Sequence, residues 1–351
     1  MNVLTRLADF FAALGHYPAY ILAYLFETLF LIIFVMVSLV AMIYIFRKYM
    51  ARLQLRIGPN RVGKFGTLQL IADSLKLVGK ESILPSGRDD LPYRIAPIIV
   101  FLGLVMGFAL LPYGPLYFIG SLTVTHSDVS LLLLFAALAI MPIGEILAGI
   151  SSRNKYAVVG ALRGVAKDVS FEIPMMISVL ALVMMASAKT ANPLNLTNLV
   201  EVQFIPYGIP QIIGLGVFFI AMVARASFSP FDMSESDSEL VSGHSTEYTG
   251  MRFGMFYMGL FGSIFLSSLI VSLLYLGGYN GPYSGYAGFI FLIIKGLILV
   301  LISFTIWLSV PRIRIDKFVN MGWKYLLPAS IINLISSQFL QTVHVPKFTS
   351  G

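Results

Sequence analysis

The chain has no cysteine among its 351 residues, and only 12% of its positions are Asp, Glu, Lys or Arg. Without thiols, disulfides, thiolate nucleophiles, iron–sulfur ligation and cysteine-based zinc sites are excluded. Histidine is scarce too. His16, His126, His244 and His344 lie far apart with no i, i+4 pair, so no bound metal is expected. The shortage of charge says most, because a soluble chain of this length needs far more polar surface. Instead, 58% of residues are hydrophobic and the mean hydropathy is +0.86.

What is present is a series of long apolar runs. A membrane-crossing helix needs about 20 mostly apolar residues. Runs of that kind fall at roughly 20–45, 95–112, 129–150, 169–187, 208–224, 253–277, 286–310 and 325–342. The expected fold class is therefore an all-α integral membrane protein of about eight transmembrane helices with amphipathic cytoplasmic helices. It is expected to form a single polytopic membrane domain over 1–351. The first run is too long for a signal-peptide core and has no small-residue cleavage site after it, so it belongs to the mature fold.

The net charge of +7 need not indicate nucleic acid, because its distribution has a topological cause. Of the 24 Lys and Arg residues, twenty fall in or beside the segments at about 46–94, 151–168, 225–252 and 311–324. Lys295 lies inside a span, and only Arg6, Lys189 and Lys347 fall on the opposite side. The positive-inside rule makes those four segments cytoplasmic and puts both termini outside. A multi-pass protein of the cell membrane, with lipid and not nucleic acid around it, is the expectation. The cytoplasmic connections are long and patterned, which directs the search for function to that side.

In the first of them, Gly58-Pro59-Asn60 signals a sharp turn. Leu68, Ile71, Ala72, Leu75 and Val78 then recur at helical spacing, with Asp73, Lys76 and Lys80 on other faces, as in an amphipathic helix at the interface. Acidic residues at membrane depth stand out because each costs roughly 3 kcal/mol to insert. Glu145 lies in the third run. Asp168 and Glu172, four apart, share one face of the fourth. Asp168 reads equally as an ion pair with Lys167 or Arg163 near the headgroups, and Glu27 as an outer-interface residue. The stretch after the fifth run holds five carboxylates in 16 residues: Asp232, Glu235, Asp237, Glu239 and Glu247. Crowded, desolvated carboxylates exchange protons nearer neutral pH. A solvated acidic helix, or docking to a basic partner, fits the same composition.

Several ordered motifs carry a resemblance. They are Arg56-Ile57-Gly58-Pro59-Asn60-Arg61-Val62-Gly63, Asn154-Lys155-Tyr156-Ala157, Ser170-Phe171-Glu172, Pro230-Phe231-Asp232, Glu239-Leu240-Val241-Ser242-Gly243, Thr246-Glu247-Tyr248 and Pro311-Arg312-Ile313-Arg314-Ile315-Asp316. In these the chain resembles, over nearly its whole length, the H-subunit family of respiratory complex I, the counterpart of mitochondrial NADH dehydrogenase subunit 1. The resemblance implies a wall of the quinone cavity, docked on a peripheral arm whose subunits carry the Fe–S clusters and flavin. This chain would hold no cofactor and show no activity alone. Quinone would be its substrate, and the other membrane and peripheral subunits its partners. By position, Glu172, Asp232, Glu235, Asp237, Glu239 and Glu247 match the family's acidic path, and Arg47 and Asp73 its cavity residues.

The chain also departs from the family pattern. Phe46-Arg47 stands where Glu-Arg is common, Ala224-Arg225 where Ala-Glu is, Phe228 where Arg is, and Gly259-Leu260-Phe261 where Ala-Glu-Tyr is. Glu145, where relatives are apolar or small, is positioned to replace part of what was lost. The expected function is that of a membrane subunit of a proton-translocating NAD(P)H–quinone oxidoreductase. Its proton path would run through Glu145, Asp168, Glu172 and the acidic loop, and its quinone cavity would include Arg47, Asp73 and Phe231. The donor stays open among NADH, reduced coenzyme F420 and ferredoxin, and the acceptor between a quinone and methanophenazine. The alternatives are a secondary transporter, which predicts internal inverted repeats that the sequence does not show, and a structural anchor for the peripheral arm.

Overall fold

The computed structural model describes residues 16–116, 120–121, 127–203, 206–281 and 284–344. The long helices are α1 (His16–Leu53), α3 (Asp90–Ala109), α4 (Ser130–Ser151), α5 (Lys155–Ser187), α9 (Gly250–Tyr275) and α10 (Ser284–Ser309). Each contains a stretch long and apolar enough to cross a membrane. They coincide with six of the eight expected spans, and the chain is an all-α integral membrane protein. The fifth expected span is the shorter α7 (Ile212–Arg225), about 21 Å long at 1.5 Å per residue. The eighth is α12 (Leu327–His344), which continues a π-helical turn at Met321–Leu326. Shorter helices are α2 (Gln69–Gly79), α6 (Leu196–Glu201), α8 (Asp237–Leu240) and α11 (Ile315–Asn320). Among the described residues the only β pairing joins Pro115–Leu116 to Gly120–Ser121.

The fourth span starts earlier than its apolar run. Asn154 caps it by accepting a hydrogen bond from the Tyr156 amide, and no Gly–Pro punctuation interrupts the residues that follow. At 33 residues α5 is roughly 50 Å long, more than the hydrocarbon thickness, so it carries Arg163 and Lys167 on its first turns.

Helix α9 is the hub, with almost every residue from Phe261 to Tyr275 buried. Tight contact between neighbours rests on small side chains, as expected where no aqueous hydrophobic force drives helices together. A Cβ at Gly144 of α4 would lie 2.5 Å from Val100 of α3, and one at Gly262 of α9 would lie 2.5 Å from Leu104 of α3.

The charged ends of the helices gather on one side. The Asp89 amide before α3 bonds the Ser151 carbonyl at the end of α4, and the Arg153 guanidinium reaches Asp89 at 2.5 Å. Tyr93 of α3 stacks on Tyr248, with ring centroids 4.2 Å apart, and donates from its hydroxyl to the Glu247 carbonyl. The acidic loop between α7 and α9 is thus folded back against the bundle. Its closest approach is at Gly160 of α5, where a Cβ would meet the Ser234 carbonyl at 2.8 Å and the Gly243 Cα at 2.9 Å. Gly243 itself has φ +55, and a Cβ there would run into the same Ser234 carbonyl. Gly160→Val is therefore expected to push the loop outward. Hydrogen exchange should quicken over residues 231–248 and stay unchanged in α3, and unchanged protection of the loop would contradict this packing.

Candidate functional site

On that charged side a chamber of about 220 Å³ opens. Its wall is aromatic: Phe253, Phe256, Tyr257 and Phe261 project from one face of α9, Trp307 comes from α10 and Phe228 from the turn after α7. Its other side is polar, formed by Asp232, Glu235, Ser227, Ser242 and Ser245. Deeper in the bundle a narrower space is lined by Glu145, Asp168, Arg225, Glu235 and His244. Ser227, Glu235, Phe256 and Leu260 border both, so they form the partition between aromatic chamber and charged interior.

The charged interior follows from the need to satisfy every buried polar group. Pro142 in α4 has no N–H, so the carbonyl of Leu138, four residues earlier, is free of its helical partner. The Arg225 guanidinium, at the end of α7, donates to that carbonyl and lies 4.0 Å from the Glu172 carboxylate. Lys167 is 1% exposed. Its ammonium donates to the Ser227 hydroxyl and stands 3.6 Å from Asp168. The expected Lys167–Asp168 pair is thus present, but inside the bundle. Glu145 interacts with both Lys167 and Arg225 across the inner space.

The acidic loop is spread out. Asp232 pairs with Arg312 at 3.0 Å on the chamber side. Glu235 sits in the partition, 3.4 Å from the His244 Nε2. Glu239 pairs with Arg163 at the surface, and Glu247 accepts from the Asn154 side chain at 2.5 Å on the far side of the loop. Asp237 opens α8, and its side chain lies outside the described residues. The fold therefore lines the inner space with Glu145, Asp168 and Glu235, brings the partly exposed Glu172 within 4.0 Å of Arg225, and sets Glu239 and Glu247 apart from them.

Arg47 and Asp73 form a 2.5 Å ion pair that ties α2 to α1, assisted by Gln69. Burial acts to raise the Asp73 pKa, but the Arg47 and Gln69 hydrogen bonds prevail and hold it below the usual carboxylate range. The Arg47 charge also acts on the hydroxyl of Tyr257, a chamber residue, which places the pair beside the aromatic wall. Phe231 does not join that wall. It packs on Phe171 and Phe318, with centroids 5.9 and 5.4 Å away, and Phe228 lines the chamber instead.

Sequence reading missed Lys167 and His244 as members of the interior. The His244 imidazole is 3% exposed, and burial together with the Lys167 charge pushes its pKa down to about 3, so the ring is neutral at physiological pH. The only signals were a lysine next to Asp168 well inside a helical run, and a histidine following a glycine within the acidic loop.

Fold and site together define a polytopic helical membrane protein in which an aromatic chamber on the charged side adjoins a buried cluster of acids and bases. The family model for NADH dehydrogenase matches residues 26–338, and the chain belongs to that family. Among its relatives is the NADH-quinone oxidoreductase H subunit of Dehalococcoides mccartyi strain 195. That protein is 37% identical over 308 residues, which cover 87% of this chain and 83% of the relative. The corresponding protein of strain CBDB1 of the same species matches with the same identity and coverage.

Removing Arg225 exposes how the interior is held. Arg225→Met leaves the Leu138 carbonyl and Glu172 unpaired and is expected to cost roughly 3 kcal/mol. Adding Pro142→Ala restores an N–H for that carbonyl and should recover part of the loss. Thermal-inactivation midpoints of the two single variants and the double variant, in the detergent-solubilised assembly, measure the coupling. Strict additivity would show that Arg225 and Pro142 do not share the carbonyl.

Proposed function

We propose that the chain is the quinone-facing membrane subunit of a complex I-type oxidoreductase and that it joins quinone reduction to proton movement. The observation that carries the reading is the partition formed by Glu235 and Ser227, with an aromatic chamber on one side and buried acids and bases on the other. Flat aromatic faces suit a planar ring, and the polar side of the chamber suits its carbonyl oxygens. Reducing a quinone to the quinol consumes two electrons and two protons. The electrons come from cofactors on partner subunits, with NADH the donor that the relatives' names support. The protons are drawn through side chains of this chain.

In this reading Asp232 and Glu235 face the quinone, and Asp168, Glu145 and Glu172 extend the route inward. Four carboxylates (Glu145, Asp168, Glu172 and Glu235) meet two fixed cations, Lys167 and Arg225, and this surplus of acid suits a cluster that takes up and passes on protons. Arg47 and Asp73 keep α2 against the tyrosine side of the chamber, while Glu239, Asp237 and Glu247 belong to the loop that roofs the partition. In this reading the face lies in the cytoplasm and both termini outside a plasma membrane, which the one-sided positive charge supports. Family membership favours this reading over a self-contained secondary transporter.

Photolabelling the purified assembly with an azidoquinone tests the chamber. Label is expected on peptides covering residues 228–261 and should be displaced by excess unlabelled quinone. Labelling confined to other segments of the chain would refute the assignment. The coupling role is read separately with Glu172→Gln in proteoliposomes. Quinone reduction should persist while proton translocation per quinone falls sharply, and normal translocation would remove Glu172 from the route.

A further inference from the structure

We propose that His244 is a relay residue that passes protons between Glu235, on the wall of the aromatic chamber, and the buried Glu145–Asp168 side of the interior. The inference rests on the proton-coupling reading above and adds a step to it. It starts from placement. The 3-10 turn Gly243–Ser245 is pinned by the close approach of Gly243 to the Ser234 carbonyl, so the backbone of His244 has little room to move. The ring meets Phe256 edge-on, with centroids 5.2 Å apart, and Phe256 is part of the partition between the two spaces. Glu235 borders both spaces, whereas His244 borders the inner one. The imidazole thus stands directly behind the carboxylate that separates them.

The chemistry of the two ring nitrogens fits a relay. Nε2 lies 3.4 Å from the Glu235 Oε1. Nδ1 is fully buried and makes no hydrogen bond among the described residues. A phenylalanine at this position would pack on Phe256 without leaving a buried polar atom unpaired, so packing alone does not account for the histidine. In the relay, a proton leaves the Glu235 carboxyl and binds the lone pair of Nε2, and a proton leaves Nδ1 for the carboxylate side of the inner space. One proton enters and one leaves, and no electron moves. The ring ends as the other neutral tautomer and is reset by rotation or by the reverse transfer. The charged and titratable groups around the inner space are Glu235 from the loop of His244, Glu145 from α4, Lys167 and Asp168 from α5 and Arg225 from α7, while α9 lines it with Phe256, Leu260 and the uncharged Ser263 and Ser267. The low proton affinity that burial and Lys167 impose on His244 means that the ring passes a proton on and does not store it.

The test compares wild type, His244→Phe and His244→Gln in the complete assembly reconstituted into proteoliposomes, with quinone reduction and proton translocation measured together. Phenylalanine keeps the packing on Phe256, and glutamine keeps a polar group toward Glu235, but neither takes up and releases a proton. Both variants are expected to assemble and to lose coupled proton translocation by roughly a hundredfold. If either variant translocates protons as wild type does, His244 is not a relay. If neither assembles, its role is structural and the proposal is overturned as well. A wild-type assembly that reduces quinone without moving protons would instead overturn the coupling reading on which the relay rests.

Discussion

Three prolines inside spanning helices govern how the charged side of this protein is put together. Pro97, Pro142 and Pro174 each lack an N–H, and each frees the carbonyl four residues before it. In a bilayer such a carbonyl must find another partner. The Leu138 carbonyl takes the Arg225 guanidinium, which fastens the end of α7 to α4. The Tyr93 carbonyl accepts from the Tyr248 hydroxyl at 3.1 Å, which fastens the end of the acidic loop to α3. The Ser170 carbonyl faces the π-helical turn at Gly322, so close that a Cβ there would lie 2.6 Å away. In α3 and α4 a local defect thus becomes an attachment point, and the loop bearing Glu235 and His244 is held between the two.

The positions at which the chain departs from its family's pattern are not scattered through this framework. Phe46 stacks on Trp307 at 4.3 Å, and both Phe46 and Phe228 pack against Phe261 and Phe304. Phe228 also meets Trp307 edge-on at 4.6 Å. Three places where charged or polar side chains are common in the family have therefore become one aromatic nest, part of which lines the chamber. Replacing any one of them alone would leave a charge facing rings, whereas changing them together keeps the packing whole. On the other side of the partition, Arg225 and Glu145 share the inner space.

Much of this was legible in the sequence because it depends on composition and local pattern. Six spans follow from the length of their apolar runs, and the gathering of charge at one end of the bundle follows from where the arginines and lysines fall in the sequence. The amphipathic spacing around Asp73 announced α2. What could not be read was decided by tertiary contact. Lys167 is one residue from Asp168 in either an exposed or a buried setting, and only the approach of Ser227 and the inner space fixes which one holds. Phe231 and Phe228 are equivalent as letters, yet the turn after α7 points one into packing and the other into the chamber. The early start of α5 was missed because polar residues near its beginning looked like a loop, although Asn154 is a good helix cap.

The distribution of charge along the spans bears on what the chain can do alone. Beyond Glu172, α5 has no ionisable acid or base before Ser187, and α4 has none between Ser130 and Glu145. The same holds for α7 before Arg225, for α3 after Arg94 and, the phenols of Tyr257 and Tyr275 aside, for α9 after Arg252. Toward the other end stand Glu27, buried in α1, Lys295 in α10, and the histidines that begin α1 and end α12, His16 and His344. Lys295 is fixed by three backbone carbonyls, those of Leu276, Gly278 and Asn280, at 2.8 to 2.9 Å. Carbonyls neither give up nor accept protons at ordinary pH, so that lysine closes the α9 terminus and does not extend a titratable chain. Among the described residues, the buried cluster of acids and bases therefore lies on the side of the bundle where the chamber opens. A transporter complete in itself needs groups, or a wet path, reaching both surfaces. A cluster gathered on one side accords with the family, whose relatives are named as subunits of an oxidoreductase.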